Sequence, residues 1–295
     1  MAEAAKESDL TMRSISSANV INLQERLLKK LPDGPVSNNI DPGTSPKIIA
    51  VSSGKGGVGK TSIVANLGFL LSNMGKKVLL VDTDLGLGNL DVLLGITPRF
   101  NISHVLSNEK TIADIVVDGP GNMKILPASS GIQSLTHLTP SQLELIRQQM
   151  FSVAADFDAI LIDTAAGISS NVLFFNASAR EVYVVVTPDL TAITDAYALM
   201  KILSMQYGIT TFNLLVNQAD SAREAGEIFN HLQLVTHQFL DISIHLRGHI
   251  LKDDNVAKGV RYQRMVSDIY PNSSASDCFK IIAQHIYDTL PGPTH

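Results

Sequence analysis

The sequence predicts a three-layer α/β sandwich: a mostly parallel sheet with helices on both faces. Three observations predict it. From Lys47 onward, short runs that are apolar on both faces alternate with segments of helical periodicity. The first run opens into a glycine-rich turn and then a helix, the order a phosphate cradle requires. And 45% of the 295 residues are hydrophobic against 17% charged, which is enough apolar surface for one large core.

The elements follow in order. Ile48-Ile49-Ala50-Val51 is a buried strand over 48–52. A helix follows over 61–73, with Val64, Leu67, Leu70 and Leu71 at helical spacing. Apolar runs at 78–81, 123–127, 159–162, 182–186, 212–216 and 242–246 read as further strands. Helical patterns occupy 140–155, 169–179, 191–207, 222–238 and 254–262 between them. The last helix, 274–290, repeats Phe279, Ile282, Ile286 and Leu290 and reads as a core element rather than a membrane helix. Stable membrane anchoring is therefore not expected.

Residues 1–45 differ. They are rich in Ser, Asn, Asp, Pro and Gly and read as a flexible tail. Within it Val20, Leu23, Leu27, Leu28 and Leu31 share one face of a short helix, with Glu25, Arg26, Lys29 and Lys30 opposite. Such a helix docks either on a partner or on its own domain. Residues 46–295 then form a single domain.

Composition excludes several functions. Cys278 is the one cysteine, so no internal disulfide and no within-chain cysteine cluster for zinc or iron–sulfur exists. No run of 18 apolar residues and no signal peptide is present, which points to the cytoplasm. A net charge of −5 does not favour non-specific nucleic-acid or anionic-lipid binding. The Lys29-Lys30 and Lys76-Lys77 doublets and the group Lys252, Lys258, Arg261 and Arg264 form either a local basic patch or, as the ordinary reading has it, solvated helix faces.

The chemistry starts at Gly54-Lys55-Gly56-Gly57-Val58-Gly59-Lys60-Thr61, which fits G-x-x-x-x-G-K-[ST]. Backbone N–H groups from Gly54 through Ser62 and the helix N-terminus cradle phosphates, and Lys60 reaches the β- and γ-phosphates. Thr61 offers its hydroxyl to Mg²⁺. Asp82 and Asp84 stand just past a strand: one holds a Mg²⁺-bound water, the other orients the attacking water. Gly86 and Gly88 permit the loop to change shape with the nucleotide. Ala159-Ile160-Leu161-Ile162-Asp163 has the form of a Walker B strand, its Asp facing Mg²⁺-bound water. Asn217 ends another strand; it pairs with adenine or simply forms a turn. Lys55 sits on the outer side of the loop, and a second copy packed face to face would bring it to the partner's phosphates. That arrangement sandwiches ATP in a homodimer.

Lys55-Gly56-Gly57-Val58-Gly59-Lys60-Thr61 resembles the deviant Walker A of the MinD/ParA class of P-loop ATPases. Asp82 to Asp91 and Asp163-Thr164-Ala165-Ala166-Gly167 look like its two switch regions. Asp91-Val92-Leu93-Leu94-Gly95, Gly131 to Leu138 and Thr191 to Leu199 resemble the flagellar-number regulators of the FlhG/FleN type. The resemblance implies a P-loop NTPase fold and a slow, Mg²⁺-dependent ATPase that is monomeric with ADP and dimeric with ATP. It gives Asp84 the hydrolytic water, Lys55 the partner's phosphates, and Thr61, Asp82 and Asp163 the metal and its waters. It implies partners: a polar signal-recognition-type GTPase, a switch-complex protein or the master transcriptional activator, with recruitment to the cell pole. The chain departs from the family's Ile-Pro-x-Asp with Ile250-Leu251-Lys252-Asp253. The alternative within the class is a ParA-like partitioning ATPase that binds DNA non-specifically.

Overall fold

The computed structural model describes residues 46–290, apart from positions 87, 130 and 132. The amphipathic segment expected between Val20 and Leu31 lies outside the described residues. Eight strands form one sheet in the order β3-β4-β2-β5-β1-β6-β7-β8. They are β1 (Lys47–Ser53), β2 (Val78–Asp82), β3 (Val117–Asp118), β4 (Lys124–Leu126), β5 (Ala159–Ala166), β6 (Glu181–Val186), β7 (Thr211–Ala219) and β8 (Ser243–Leu251). The short edge strand β3 runs antiparallel to β4, and the other pairings are parallel.

The longer helices are α1 (Lys60–Asn73), α5 (Pro140–Ala154), α6 (Ser170–Ala177), α7 (Leu190–Tyr207), α8 (Ala222–Phe239), α9 (Asp254–Arg261) and α11 (Ser274–Tyr287). Shorter ones are α2 (Leu90–Leu94), α3 (Ile102–Leu106), α4 (Ile112–Ile115) and α10 (Val266–Ile269). Alternation along β1 shows why the strands are apolar on both faces. Ile49 and Val51 join a core with Leu67, Leu71, Phe279, Ile282 and Ile286 from α1 and α11. Ile48 and Ala50 join the opposite core with Leu143, Ile146 and Met150 from α5. A third cluster seats α7 and α8 on β6, β7 and β8 through Leu199, Leu203, Leu214 and Leu232.

The last helix is thus a core element, as its periodicity predicts, and none of the described helices is long and apolar enough to cross a membrane. Strand β8 runs five residues past its expected end because a register shift opposite Leu214 and Leu215 accommodates Arg247 and lets pairing resume. Sheet order fixes the site. From β1 the chain moves to β2 on one side and, after β5, to β6 on the other, so the crevice opens at the carboxyl end of β1.

Candidate functional site

Strand β1 ends at Ser53, and residues 54–59 turn tightly into α1. Gly57 (φ 79°) and Gly59 (φ 93°) need the left-handed region. Gly54 is glycine for another reason: a Cβ there would lie 2.2 Å from the Asp195 backbone on α7. Lys60 opens α1 and is buried, its ammonium donating to Ser53 Oγ at 2.8 Å. Ser53 Oγ donates in turn to Lys55 O at 2.7 Å. Burial lowers the Lys60 pKa, while Asp163 and Asp84 oppose that shift. Sequence reasoning missed Ser53; its only signal was a small hydroxyl residue closing an apolar run.

Asp82 and Asp163 are direct register partners on neighbouring strands, both nearly inaccessible. Asp82 Oδ1 accepts the Asp84 N–H at 3.0 Å and Oδ2 accepts the Leu90 N–H at 3.2 Å. Asp163 Oδ1 has no partner. Burial, with the neighbouring Asp163 carboxylate, raises the Asp82 pKa well above the usual range. Burial likewise raises that of Asp163, against the pull of the Thr61 hydroxyl and the Lys60 ammonium. A buried, orphaned carboxylate oxygen beside a P-loop threonine fits a hydrated Mg²⁺. Asp163 and Thr61 present that donor set directly; Asp82 already spends an acceptor of each oxygen on its own loop. Asp84 is half-buried at the same mouth.

Two expected residues have other contacts here. Asn217 donates from Nδ2 to Val58 O at 2.7 Å and accepts the Gln218 N–H on Oδ1 at 2.9 Å. Its amide braces the phosphate loop, and the missing side chain of Gly59 makes the room, since a Cβ there would lie 2.4 Å from Asn217 Nδ2. Pairing with adenine would have to use the second N–H and the second lone pair of Oδ1. Lys55 turns away from its own cradle. Its ammonium pairs with Asp189 Oδ2 and donates to Thr191 Oγ1 at 2.6 Å. Asp189 also caps α7, accepting the Thr191 N–H at 2.8 Å. The lysine's hydrogen bond, followed by those from Thr191, holds the Asp189 pKa down to about 2. The sequence reading did not single out Asp189; an acid between strand and helix was its signal.

Beside the loop, at the ends of β7 and β8, Asp220, Lys252, Asp253, Asn255 and Lys258 line an open polar cavity of about 570 Å³. Asp253 is the residue retained from the family's Ile-Pro-x-Asp. It caps α9 through the Asn255 N–H (2.9 Å) and accepts the Ala275 N–H at the start of α11 (3.1 Å). A larger hollow of about 700 Å³ lies at the opposite end of β2, between Val116, Val153, Phe157, Lys77 and Lys124. It is remote from the cradle, and no cluster of catalytic groups faces it.

Strand β5 continues three residues past Asp163, beyond its expected end at 162, so the aspartate lies within the strand rather than after it. With a glycine cradle, a buried lysine and that half-satisfied carboxylate gathered at a topological switch point, the fold and site are those of a P-loop nucleoside triphosphatase. A family model described as an AAA domain matches residues 46–218. Antiactivator FleN of Pseudomonas aeruginosa is 43% identical over 249 residues, covering 84% of this chain and 89% of that protein. Flagellum site-determining protein YlxH of Helicobacter pylori is 32% identical, covering 80% of each. Among solved structures, septum site-determining protein MinD of Pyrococcus horikoshii, complexed with Mg-ADP, superposes with a TM-score of 0.69 at 25% identity, over 82% of this chain and 96% of that one. The chain belongs to the MinD/ParA class of P-loop ATPases, among relatives of the FleN/FlhG type. It is an ATPase, with ATP or ADP and Mg²⁺ as its ligands.

Proposed function

We propose that this chain is an ATP-operated switch that regulates flagellar number. ATP draws two copies together, hydrolysis lets them part, and the ATP-bound dimer engages flagellar proteins. The carrying observation is the division of labour between two lysines on one loop. Lys60 lies in the cradle; Lys55 points out of it, onto Asp189. A lysine held outside its own cradle supports the reading in which it meets the phosphates of a facing copy.

In the ATP dimer Lys55 leaves Asp189 and places its charge on the partner's phosphates, where phosphoryl transfer needs it. Asp84 orients the attacking water. Lys60 exchanges Ser53 Oγ for phosphate oxygens. Thr61 would hold Mg²⁺, and Asp82 and Asp163 its waters. Bound there, Mg²⁺ would neutralise phosphate charge during the transfer. The cavity between Asp220 and Lys258 receives base and ribose.

The identities to FleN and YlxH support a flagellar setting. The candidate partners are a polar signal-recognition-type GTPase, a switch-complex protein and the master transcriptional activator, met in the cytoplasm and at the pole. The DNA-partitioning reading draws little support from two cations of the expected basic patch: Arg264, between α9 and α10, is paired with Asp268, and Lys258 on α9 contacts Asn255 and the Tyr270 ring. Light scattering in Mg²⁺-ATP and in Mg²⁺-ADP tests the switch. The expected result is a doubled mass in ATP alone, and one mass in both nucleotides overturns it.

A further inference from the structure

Gly86 and Gly88, in the loop that carries Asp84, have a steric role besides the conformational one that their sequence suggests. They supply space. A Cβ on Gly86 would lie 2.4 Å from Thr136 Cγ2, and one on Gly88 would lie 2.6 Å from Ala128 Cβ. Both intruders come from the connection between β4 and α5, which also ties in through the backbone: the Gly131 N–H donates to Gly86 O at 3.1 Å.

The same connection is gripped from its other side. Asn171, in the first turn of α6, is 5% exposed. Its Nδ2 donates to Leu135 O at 3.2 Å and to Thr136 O at 3.4 Å. Helix α6 follows β5 and its Asp163, and a second buried asparagine on it, Asn176, donates to Ser52 Oγ on β1 at 3.1 Å. One helix therefore holds the strand that feeds the phosphate loop and, through Thr136, the loop of Asp84.

We propose that the β4–α5 connection is a wedge that sets the position of Asp84, with Thr136 as its contact on Gly86 and Asn171 as its clasp. Asn171 and Thr136 are positioning residues, and the inference rests on the water-orienting role of Asp84. Displacing the wedge moves a group used in the transition state and leaves the phosphate cradle untouched. The loss then appears in kcat and not in ATP affinity.

Paired substitutions test this. Gly86→Ala drives a methyl into Thr136 Cγ2; adding Thr136→Ser removes that methyl and keeps the hydroxyl. Gly86→Ala is expected to lower kcat on the order of tenfold or more, with KM and affinity for a fluorescent ATP analogue within about twofold of the parent. The double variant regains turnover to within about threefold of the parent. Asn171→Asp keeps the shape, loses the N–H donors and shows the same kcat-against-KM split, with a longer-lived ATP dimer. Each variant's melting curve confirms that it folds. Parental kcat in Gly86→Ala overturns the inference, as does a loss that Thr136→Ser does not reverse. Asp84→Ala separates the two claims. If it turns over normally, the role of Asp84 itself is wrong. If it is inactive while Gly86→Ala is normal, only the wedge is wrong.

Discussion

At the amino end of β1, the charge on Lys47 is answered on every side. Its ammonium meets Glu181 at 2.7 Å and Thr289 Oγ1 at 2.6 Å. Glu181 Oε2 accepts from Asn213, whose Oδ1 accepts from Arg247 at 2.6 Å, and Arg247 reaches His285 at 3.0 Å. At the carboxyl end, Asp163 keeps an oxygen that nothing meets, and Lys60 leans on a neutral hydroxyl. Both ends bury charge, and burying charge costs free energy unless it is paired. The amino end recovers that cost within the fold. The carboxyl end leaves it outstanding until a ligand of opposite charge arrives. Incomplete pairing, more than burial, marks the functional end of the sheet.

The largest break in that comparison comes from Lys60→Ala. Removing the one cradle cation should weaken ATP binding on the order of a hundredfold or more. Titration with a fluorescent ATP analogue checks it, and parental affinity would take Lys60 out of the site. Asp84→Ala comes next. It should bind ATP normally, lose turnover by roughly 10²–10⁴-fold and persist as a dimer. A dimer that decays at the parental rate after ATP is depleted would deny Asp84 the water.

The same contrast explains what could be read in the sequence. The phosphate loop is contiguous, so Gly54 to Thr61 announce their cradle without any tertiary contact. The strands are legible because both faces are buried, as Ile48 and Ile49 show. What stayed hidden depends on distant partners. Asp189 lies 134 residues from Lys55, and Asn171 lies 35 from Thr136. Helices of four or five residues, such as Leu90–Leu94 and Ile112–Ile115, are too short for a 3.6-residue period to register. The steric role of the glycines in the Asp84 loop was not legible in the sequence, because Thr136 and Ala128 come from another element.

At the amino end, Glu181→Gln should do the reverse of Lys60→Ala. It strips Lys47 of its counter-charge while Thr289 remains. Glu181 is partly exposed, so the expected loss sits at the low end for a broken buried pair, about 3 kcal/mol. Urea unfolding measures it, and nucleotide affinity should not change. Unchanged stability with weakened ATP binding would mean that the two ends are not separable.

The smallest effect expected is a titration. The Asp189 pKa is depressed to about 2, with the Lys55 hydrogen bond as the largest cause. A depressed carboxylate stabilises the folded state above its ordinary value, 3.8, and loses that contribution as pH falls through about 2. The Lys55–Asp189 pair is thus intact throughout the neutral range, and pH does not release it. A competing anion must. Lys55→Ala should raise the Asp189 pKa toward the ordinary value but not to it, because the Thr191 N–H and hydroxyl still donate. Carbon-13 NMR of the Asp189 carboxyl measures the shift in the monomer. Adding ATP to a hydrolysis-deficient parent should move Asp189 in the same direction, because Lys55 then faces the partner's phosphates. If Asp189 titrates identically in the parent, in Lys55→Ala and in the ATP dimer, the aspartate is not what holds the lysine outside its own cradle.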